Sequence, residues 1–132
     1  MRRTAQPSVD IFGFADLYQV NVSAGGHPEM ATAHAVSDNY FGVLGVAPAA
    51  GRVLGAVDDR STAQPAAMIS DAFWLRRFNR SPDVVGQPLI INGLSFTIAG
   101  ATPPEFHGTG QVLEAPDLYV PLAMRGRLPA NL

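Results

Sequence analysis

Val36-Ser37-Asp38-Asn39-Tyr40-Phe41-Gly42-Val43-Leu44-Gly45-Val46-Ala47-Pro48-Ala49-Ala50-Gly51-Arg52 packs an extended exit, a capped short helix, a glycine stop and a proline–glycine turn into one run. Val36 closes an extended segment. Ser37 is predicted to cap a helix, because its hydroxyl can accept one of the free N–H groups of a first turn. Asp38 favours the same end through the helix dipole. Tyr40, Phe41 and Leu44 then fall on one apolar face of a helix of about two turns. Gly45 fits the left-handed residue that ends a helix, and Pro48 prevents its resumption. Gly51 and Arg52 open a loop that reads as exposed as far as Gln64, with Asp58-Asp59-Arg60 in solvent. A strand running directly into a short capped helix points to mixed α and β structure.

The same reading extends outward. Upstream, Leu17 to Val22 alternates as a half-buried strand does, Ala24-Gly25-Gly26-His27-Pro28 reads as a turn, and Met30 to Val36 is a second strand able to pair with the first. Downstream, Ala66 to Ile69 is a short apolar strand. Ser70 or Asp71 caps a second helix over 72–78, in which Trp74 and Phe78 pair at i,i+4. Arg76, Arg77 and Arg80 lie at its C-terminal end, where the dipole favours cations, and Asn79 terminates it. Ser81-Pro82-Asp83-Val84-Val85-Gly86 is a compact turn with proline at the first helical position. Asn92-Gly93 between two β-rich runs predicts a hairpin over 89–100 with a two-residue type I′ turn. Asp117 to Pro121 is a last short strand. The order gives an α+β fold with a mixed or mainly antiparallel sheet and two or three short helices. Residues 1–13 read as a loose N-terminal segment, 14–124 as the folded domain and 125–132 as a tail.

Composition narrows the functional classes. The chain has 132 residues, 47% apolar and 15% charged, which suits one domain with a real core. Its formal charge of −2 gives no basic face for nucleic acid. Every basic residue is arginine, so no lysine can form a Schiff base or act as a base. The absence of cysteine excludes disulfides, thiolate metal sites and thiol chemistry. No apolar run follows Met1-Arg2-Arg3, so no signal peptide is read. The uncharged stretch from Val84 to Thr102 is long enough to span a bilayer, but Gln87, Pro88 and Asn92-Gly93 make it a hairpin.

Candidate chemistry is sparse. His27, His34 and His107 lack the HxxxH spacing that places two ligands on one helix face. A small metal-dependent hydrolase built on them is the weakest of the competing readings. Ser95, His107 and Asp117 could be assembled into a triad, but no GxSxG elbow accompanies them, and Ser70 already has a use as a cap. Asp58-Asp59-Arg60 lacks the EF-hand spacing. No phosphate-binding glycine loop is present. Ser23-Ala24-Gly25-Gly26-His27 resembles the signature of ABC ATPases, but Pro28 and the missing Walker A sequence remove that context. Trp74, Arg76 and Arg80 form a candidate partner face, against the plainer reading of an amphipathic helix with its charges in water. A freestanding ligand-binding module would place its pocket between Trp74, Phe78 and Phe96.

The opening stretch resembles the signature VS-x-NYF-x-VLGV-x-P-x-x-GR of the MacB-like periplasmic core domain of bacterial ABC-type permeases. Further blocks follow in the family's order: Arg52 to Asp58-Asp59; Ala67-Met68-Ile69-Ser70 with Phe73-Trp74-x-Arg76-Arg77-Phe78; Asp83-Val84-Val85-Gly86; Ile91-Asn92-Gly93 with Phe96-Thr97-Ile98-Ala99-Gly100; Pro103-Pro104-x-Phe106-x-Gly108; and Pro116 to Leu122. Each block is weak alone; their order and spacing are specific, and they cover about Phe14 to Met124. The resemblance makes Ser37, Tyr40, Phe41, Gly45, Gly51, Arg52, Trp74, Arg77, Phe78, Gly86, Asn92 and Gly93 the fold-defining positions. It implies a non-enzymatic extracytoplasmic domain inserted between two membrane helices, without catalytic, cofactor or metal residues. It further implies a cognate ABC ATPase acting through membrane helices, and a periplasmic adaptor or substrate as partner. Those helices and the later part of such a domain are not in this sequence. The chain therefore reads as a fragment, a split gene or a freestanding copy, with exposed sheet edges expected as a liability.

Overall fold

The computed structural model describes residues 14–55, 58, 64–106 and 116–124. The segments read as a loose N-terminus (1–13) and a tail (125–132), together with Asp59, Arg60, His107, Gly108 and Glu114, lie outside the described residues.

Seven strands make one mixed sheet: β1 (Phe14–Ala24), β2 (His27–Val36), β3 (Ala50–Gly51), β4 (Ala66–Ile69), β5 (Pro88–Ile91), β6 (Leu94–Ala101) and β7 (Leu118–Pro121). Two helices accompany them, α1 (Tyr40–Leu44) and α2 (Asp71–Phe78), with 3-10 turns at Pro82–Val84 and Leu122–Met124. The strand order is β3-β6-β4-β7-β2-β1-β5, and β5 pairs again with β6. Six strands thus form a closed ring of pairings, with β3 attached to β6 beside it. The exposed edges expected from the sequence are largely removed by this closure, because a ring has no terminal strand. The β2–β7 and β4–β6 pairs are parallel and the others antiparallel.

Alternation along the strands builds two cores. Val20, Val22, Ala31, Ala33, Ala35, Ala67, Ile69, Leu89, Ile91, Phe96, Ile98, Leu118 and Val120 fill one face, joined by Phe73 and Trp74 of α2, Val84 and Met124. Three alanines of β2 in alternate positions leave room there for the aromatic rings. The intervening residues Val36, Ala66, Met68, Ala99 and Tyr119 face the other way and pack with Tyr40 and Phe41 of α1 and with Leu54. Each fully buried large apolar side chain contributes about 1.5–3 kcal/mol.

Both hairpin turns place two residues at positive φ, as a type I′ turn requires. At Gly25-Gly26 the angles are 60° and 80°; at Asn92-Gly93 they are 49° and 86°. The first turn is therefore two residues long, and Ala24 pairs with His27. His27 and Pro28 belong to β2, not to the five-residue turn expected from sequence. The second turn also fastens the ring: the backbone N–H of Asn21 donates to Asn92 Oδ1 at 2.8 Å, and that of Asn92 to the Asn21 carbonyl at 2.8 Å.

Around residues 36–52 the cap is displaced. Asn39, not Ser37, precedes the helix, and its side chain makes no cap hydrogen bond. Ser37 instead makes a turn. Its carbonyl accepts from the Tyr40 N–H at 3.1 Å and its hydroxyl donates to Asn39 Oδ1 at 2.8 Å. That turn uses two residues of the expected helix, which shrinks to Tyr40–Leu44. Gly45 follows at φ 69° in the left-handed conformation.

The described part of the segment read as an exposed loop from Gly51 is only partly solvated: Gly51, Arg52 and Gln64 are exposed, but the strand β3 and two side chains tie it to the fold. Gly51 and Gly100 lie opposite each other in β3 and β6, and a Cβ on either would strike the other strand's backbone. Leu54 and Asp58 are buried.

The first and last strands meet β2 at one residue. Phe14, the first residue of β1, and Pro121, the last of β7, are both register partners of Val36, one on each side. Two strand spacings, about 10 Å, separate them.

Candidate functional site

The arginine-bearing side of α2 gathers the largest group of charges among the described residues. The sequence dictates this helix locally. Ser70 has extended backbone angles and its Oγ accepts from the Phe73 N–H at 3.1 Å, so Ser70 is the cap and the helix begins at Asp71. Asn79 ends it at φ 52°. Phe73 and Trp74 point into the core, which leaves Arg76, Arg77 and Arg80 along the outer side and the C-terminal turn.

These arginines hold the helix to the sheet. Arg76 Nη2 donates to Glu29 Oε2 at 2.8 Å, and Arg77 Nη1 lies 3.3 Å from the same oxygen. Arg77 Nη2 donates to the carbonyls of His27 at 2.8 Å and Ala24 at 3.3 Å, the two residues flanking the first hairpin turn. Both guanidiniums sit against the Phe73 ring, 5.2 and 5.7 Å from its centroid. Arg76 Nη1 is 3.8 Å from Asp117 Oδ1. Asp117 in turn accepts from the Thr32 N–H at 3.1 Å and binds β2 through its backbone. Partial burial works to raise the Glu29 pKa, but the Arg76 hydrogen bond and the two arginine charges prevail and hold it below the ordinary carboxylate value. Arg80 forms a two-pronged pair with Asp71, at 2.6 and 3.0 Å.

The candidate partner face of Trp74, Arg76 and Arg80 needs correction at Trp74. The residue is only 8% exposed and its Nε1 donates to the Ser81 carbonyl at 2.9 Å, so it anchors the helix instead of presenting a surface. Trp74 and Phe96 are both buried, so they do not line an opening with Phe78; Phe78 meets the Phe73 ring, with centroids 6.2 Å apart. Arg76 and Arg80 are accessible but each already has an acidic neighbour.

A second ion pair lies on the opposite core. Asp58 accepts from Arg52 Nη1 and Nη2 at 2.8 and 2.9 Å and from the Gly55 N–H at 2.9 Å. Its side chain is 5% exposed and that of Arg52 is 53%. Burial pushes the Asp58 pKa up, yet the Arg52 and Gly55 hydrogen bonds and the Arg52 charge outweigh it and leave it below its ordinary value. Sequence reading missed this pair because Arg52 and Asp58 lie in what looked like an exposed loop. The six-residue spacing itself carries no signal.

His27 and His34 do not converge. His27 is exposed at the start of β2, whereas His34 is buried on the other side of the sheet and meets Tyr119 edge-on. His107 lies outside the described residues. Among the described residues no group of three histidine, aspartate or glutamate side chains could hold a metal ion. Tyr40, Phe41, Phe106 and Tyr119 form a packed aromatic cluster beside His34, with centroids 5.1–6.4 Å apart. Burial drives the Tyr119 pKa far above its usual range, so it stays neutral.

Residues 2–131 match the family model described as "MacB-like periplasmic core domain". The fold is similar to that of the periplasmic region of MacB from Actinobacillus actinomycetemcomitans, with a TM-score of 0.68 and 17% identity over 89% of this chain. It is also similar to the extracellular domain of YknZ, a noncanonic ABC-type transporter from Gram-positive bacteria (TM-score 0.65, 16% identity, 86% of this chain). A domain of a putative permease protein from Porphyromonas gingivalis matches with a TM-score of 0.61 and 15% identity over 88% of this chain. The chain spans about half the length of these solved domains: 50%, 54% and 47%. No curated protein matches the sequence.

Proposed function

Because the chain belongs to the MacB-like periplasmic core domain family, we propose that it is a non-catalytic extracytoplasmic part of an ABC-type permease that couples ATP-driven helix motion to export. The family belongs to inner-membrane permeases that work with an ATPase. No helix of the described residues is long and apolar enough to cross a membrane. In this reading the ATPase acts on the domain through the membrane helices of the permease, and a periplasmic adaptor or the substrate receives the motion.

One observation carries the reading: the match to the family model runs over residues 2–131. The closed ring and the Glu29–arginine contacts keep the domain from deforming internally. The fold-defining role of Tyr40, Phe41, Gly45, Gly51, Arg52, Trp74, Arg77, Phe78, Gly86, Asn92 and Gly93 belongs to the same proposal. Caps, turns, ion pairs and core positions at these residues support it; Ser37 contributes its turn.

The test uses the absence of cysteine in this chain. Single cysteines at the exposed positions Leu75 and Ile90, spin-labelled in the assembled permease, report distances with and without nucleotide. The expected result is a constant distance between 75 and 90, and a changed distance from either to a label on a membrane helix. An internal change without movement of the whole domain would overturn the reading. So would saturable hydrolytic turnover abolished by one serine or histidine substitution.

A further inference from the structure

Five asparagines occur in the sequence, and only Asn92 is followed by glycine. An asparagine loses its side-chain amide when the backbone nitrogen of the next residue attacks the carboxamide carbon, one source of the heat lability of this residue type. Glycine offers the least hindered nitrogen for that attack, because it carries no side chain. Gly93 is exposed and Asn92 is half-buried, and the space where a side chain on Gly93 would stand is open. Water therefore reaches the turn.

The fold holds the reacting groups apart. Asn92 Oδ1 accepts from the Asn21 N–H at 2.8 Å, and the Asn92 N–H donates to the Asn21 carbonyl at 2.8 Å. Asn92 and Gly93 are fixed at φ 49° and 86°, with Ile91 paired to Leu94 across the turn. Closing a five-membered ring between the side chain and the Gly93 nitrogen turns the carboxamide off Asn21. It also rotates the Asn92–Gly93 peptide out of the turn. Both contacts to β1 must open first, as a local unfolding event.

We infer that Asn92 is a site of spontaneous covalent modification, gated by the contacts between the β5–β6 turn and Asn21. The Gly93 nitrogen forms a bond to Asn92 Cγ, and Nδ2 leaves as ammonia with the proton that the Gly93 nitrogen gives up. Water then opens the cyclic imide. Attack at Cγ breaks the new bond and leaves aspartate. Attack at the main-chain carbonyl carbon breaks the original peptide bond and leaves isoaspartate, with the backbone now running through the former side chain. Isoaspartate adds a carbon to a two-residue turn and so disrupts the Ile91–Leu94 register, whereas aspartate preserves it. The inference is independent of the transport reading, since it concerns the covalent ageing of the domain and not its movement.

The test incubates the 132-residue chain at mildly alkaline pH, folded and in urea. Mass spectrometry follows the peptide that carries Asn92, with chromatographic separation of its aspartate and isoaspartate forms. Two hydrogen bonds of ordinary net strength predict loss of the amide about thirtyfold slower in the folded chain than in urea. Asn21→Pro removes the donor to Asn92 Oδ1 and leaves the Asn21 carbonyl in place. In the folded variant the loss should be about fivefold faster than in the parent, the equivalent of one such bond. Asn79, which precedes arginine, should keep its amide longer than Asn92 in urea. The isolated isoaspartate form should unfold at lower urea than the aspartate form. Equal rates for the parent chain in buffer and in urea, an unchanged rate in folded Asn21→Pro, or faster loss at Asn79 would each overturn the inference. The comparison of the parent chain in buffer and in urea decides it even if Asn21→Pro does not fold.

Discussion

At the scale of single residues, Asp58 shows how much a local environment can reverse a plain reading. An Asp-Asp-Arg triplet in a glycine-bearing loop normally signals solvent. Here the first carboxylate is buried, with three donors converging on it from Arg52 and Gly55. Replacing Asp58 by Asn keeps the volume and removes the charge. It should cost about 1–3 kcal/mol, the usual range when a buried charged hydrogen-bond partner is lost. The pH dependence follows from the direction of the shifts. Asp58 and Glu29 both have folded-state values below their unfolded ones. Their contribution is complete above the unfolded carboxylate range, about pH 4, and is lost as pH falls through the depressed folded values. Urea unfolding between pH 7 and pH 3 should show stability falling at the acid end, with a shallower fall in Asp58→Asn. An equal fall in the variant would show that Asp58 contributes none of it.

At the scale of elements, the turns were legible and the junctions between them were not. Asn92-Gly93 gives its hairpin away because so few residues accept positive φ in succession. Ser70, Asn79 and Gly45 likewise declare helix ends through side-chain chemistry and backbone freedom. What the sequence does not announce is that the Asn92 turn reaches β1, 71 residues away, through Asn21. A local motif carries no record of its distant partner. The same holds for Ser37, whose capping chemistry is real but is spent on a turn two residues early. Asn92→Ala therefore removes two things, the tolerated left-handed residue and the acceptor for the Asn21 N–H. The expected loss is about 1–2 kcal/mol, measurable as a lower urea midpoint with an unchanged slope. Asn92→Asp, which keeps the acceptor and tolerates the same backbone, should recover most of it. A variant no better than alanine would exclude the Asn21 contact as the cause.

At the scale of the whole molecule, alternation and element order gave the mixed sheet, while its closure on itself came only with the structure. The parallel pairs β2–β7 and β4–β6 join strands far apart in sequence, and periodicity within a strand is blind to such neighbours. Closure has a consequence for unfolding, because no strand of the ring can leave without breaking two partners. The single tryptophan, Trp74, sits in the core beneath α2, so its fluorescence reports on one side of that ring. Fluorescence and far-UV circular dichroism should follow one coincident denaturant transition. Separate midpoints would mean that α2 detaches before the sheet opens.

The meeting of β1 and β7 with β2 at Val36 also makes the response to pulling depend on direction. Force applied to Phe14 and Pro121 together along the strands passes to both flanks of β2 at once, like a weight on two parallel cords. Force that draws them apart sideways strains the hydrogen bonds around Val36 one after another, as the teeth of a zipper do. This corner of the sheet is stiff to a shared pull and weak to prying.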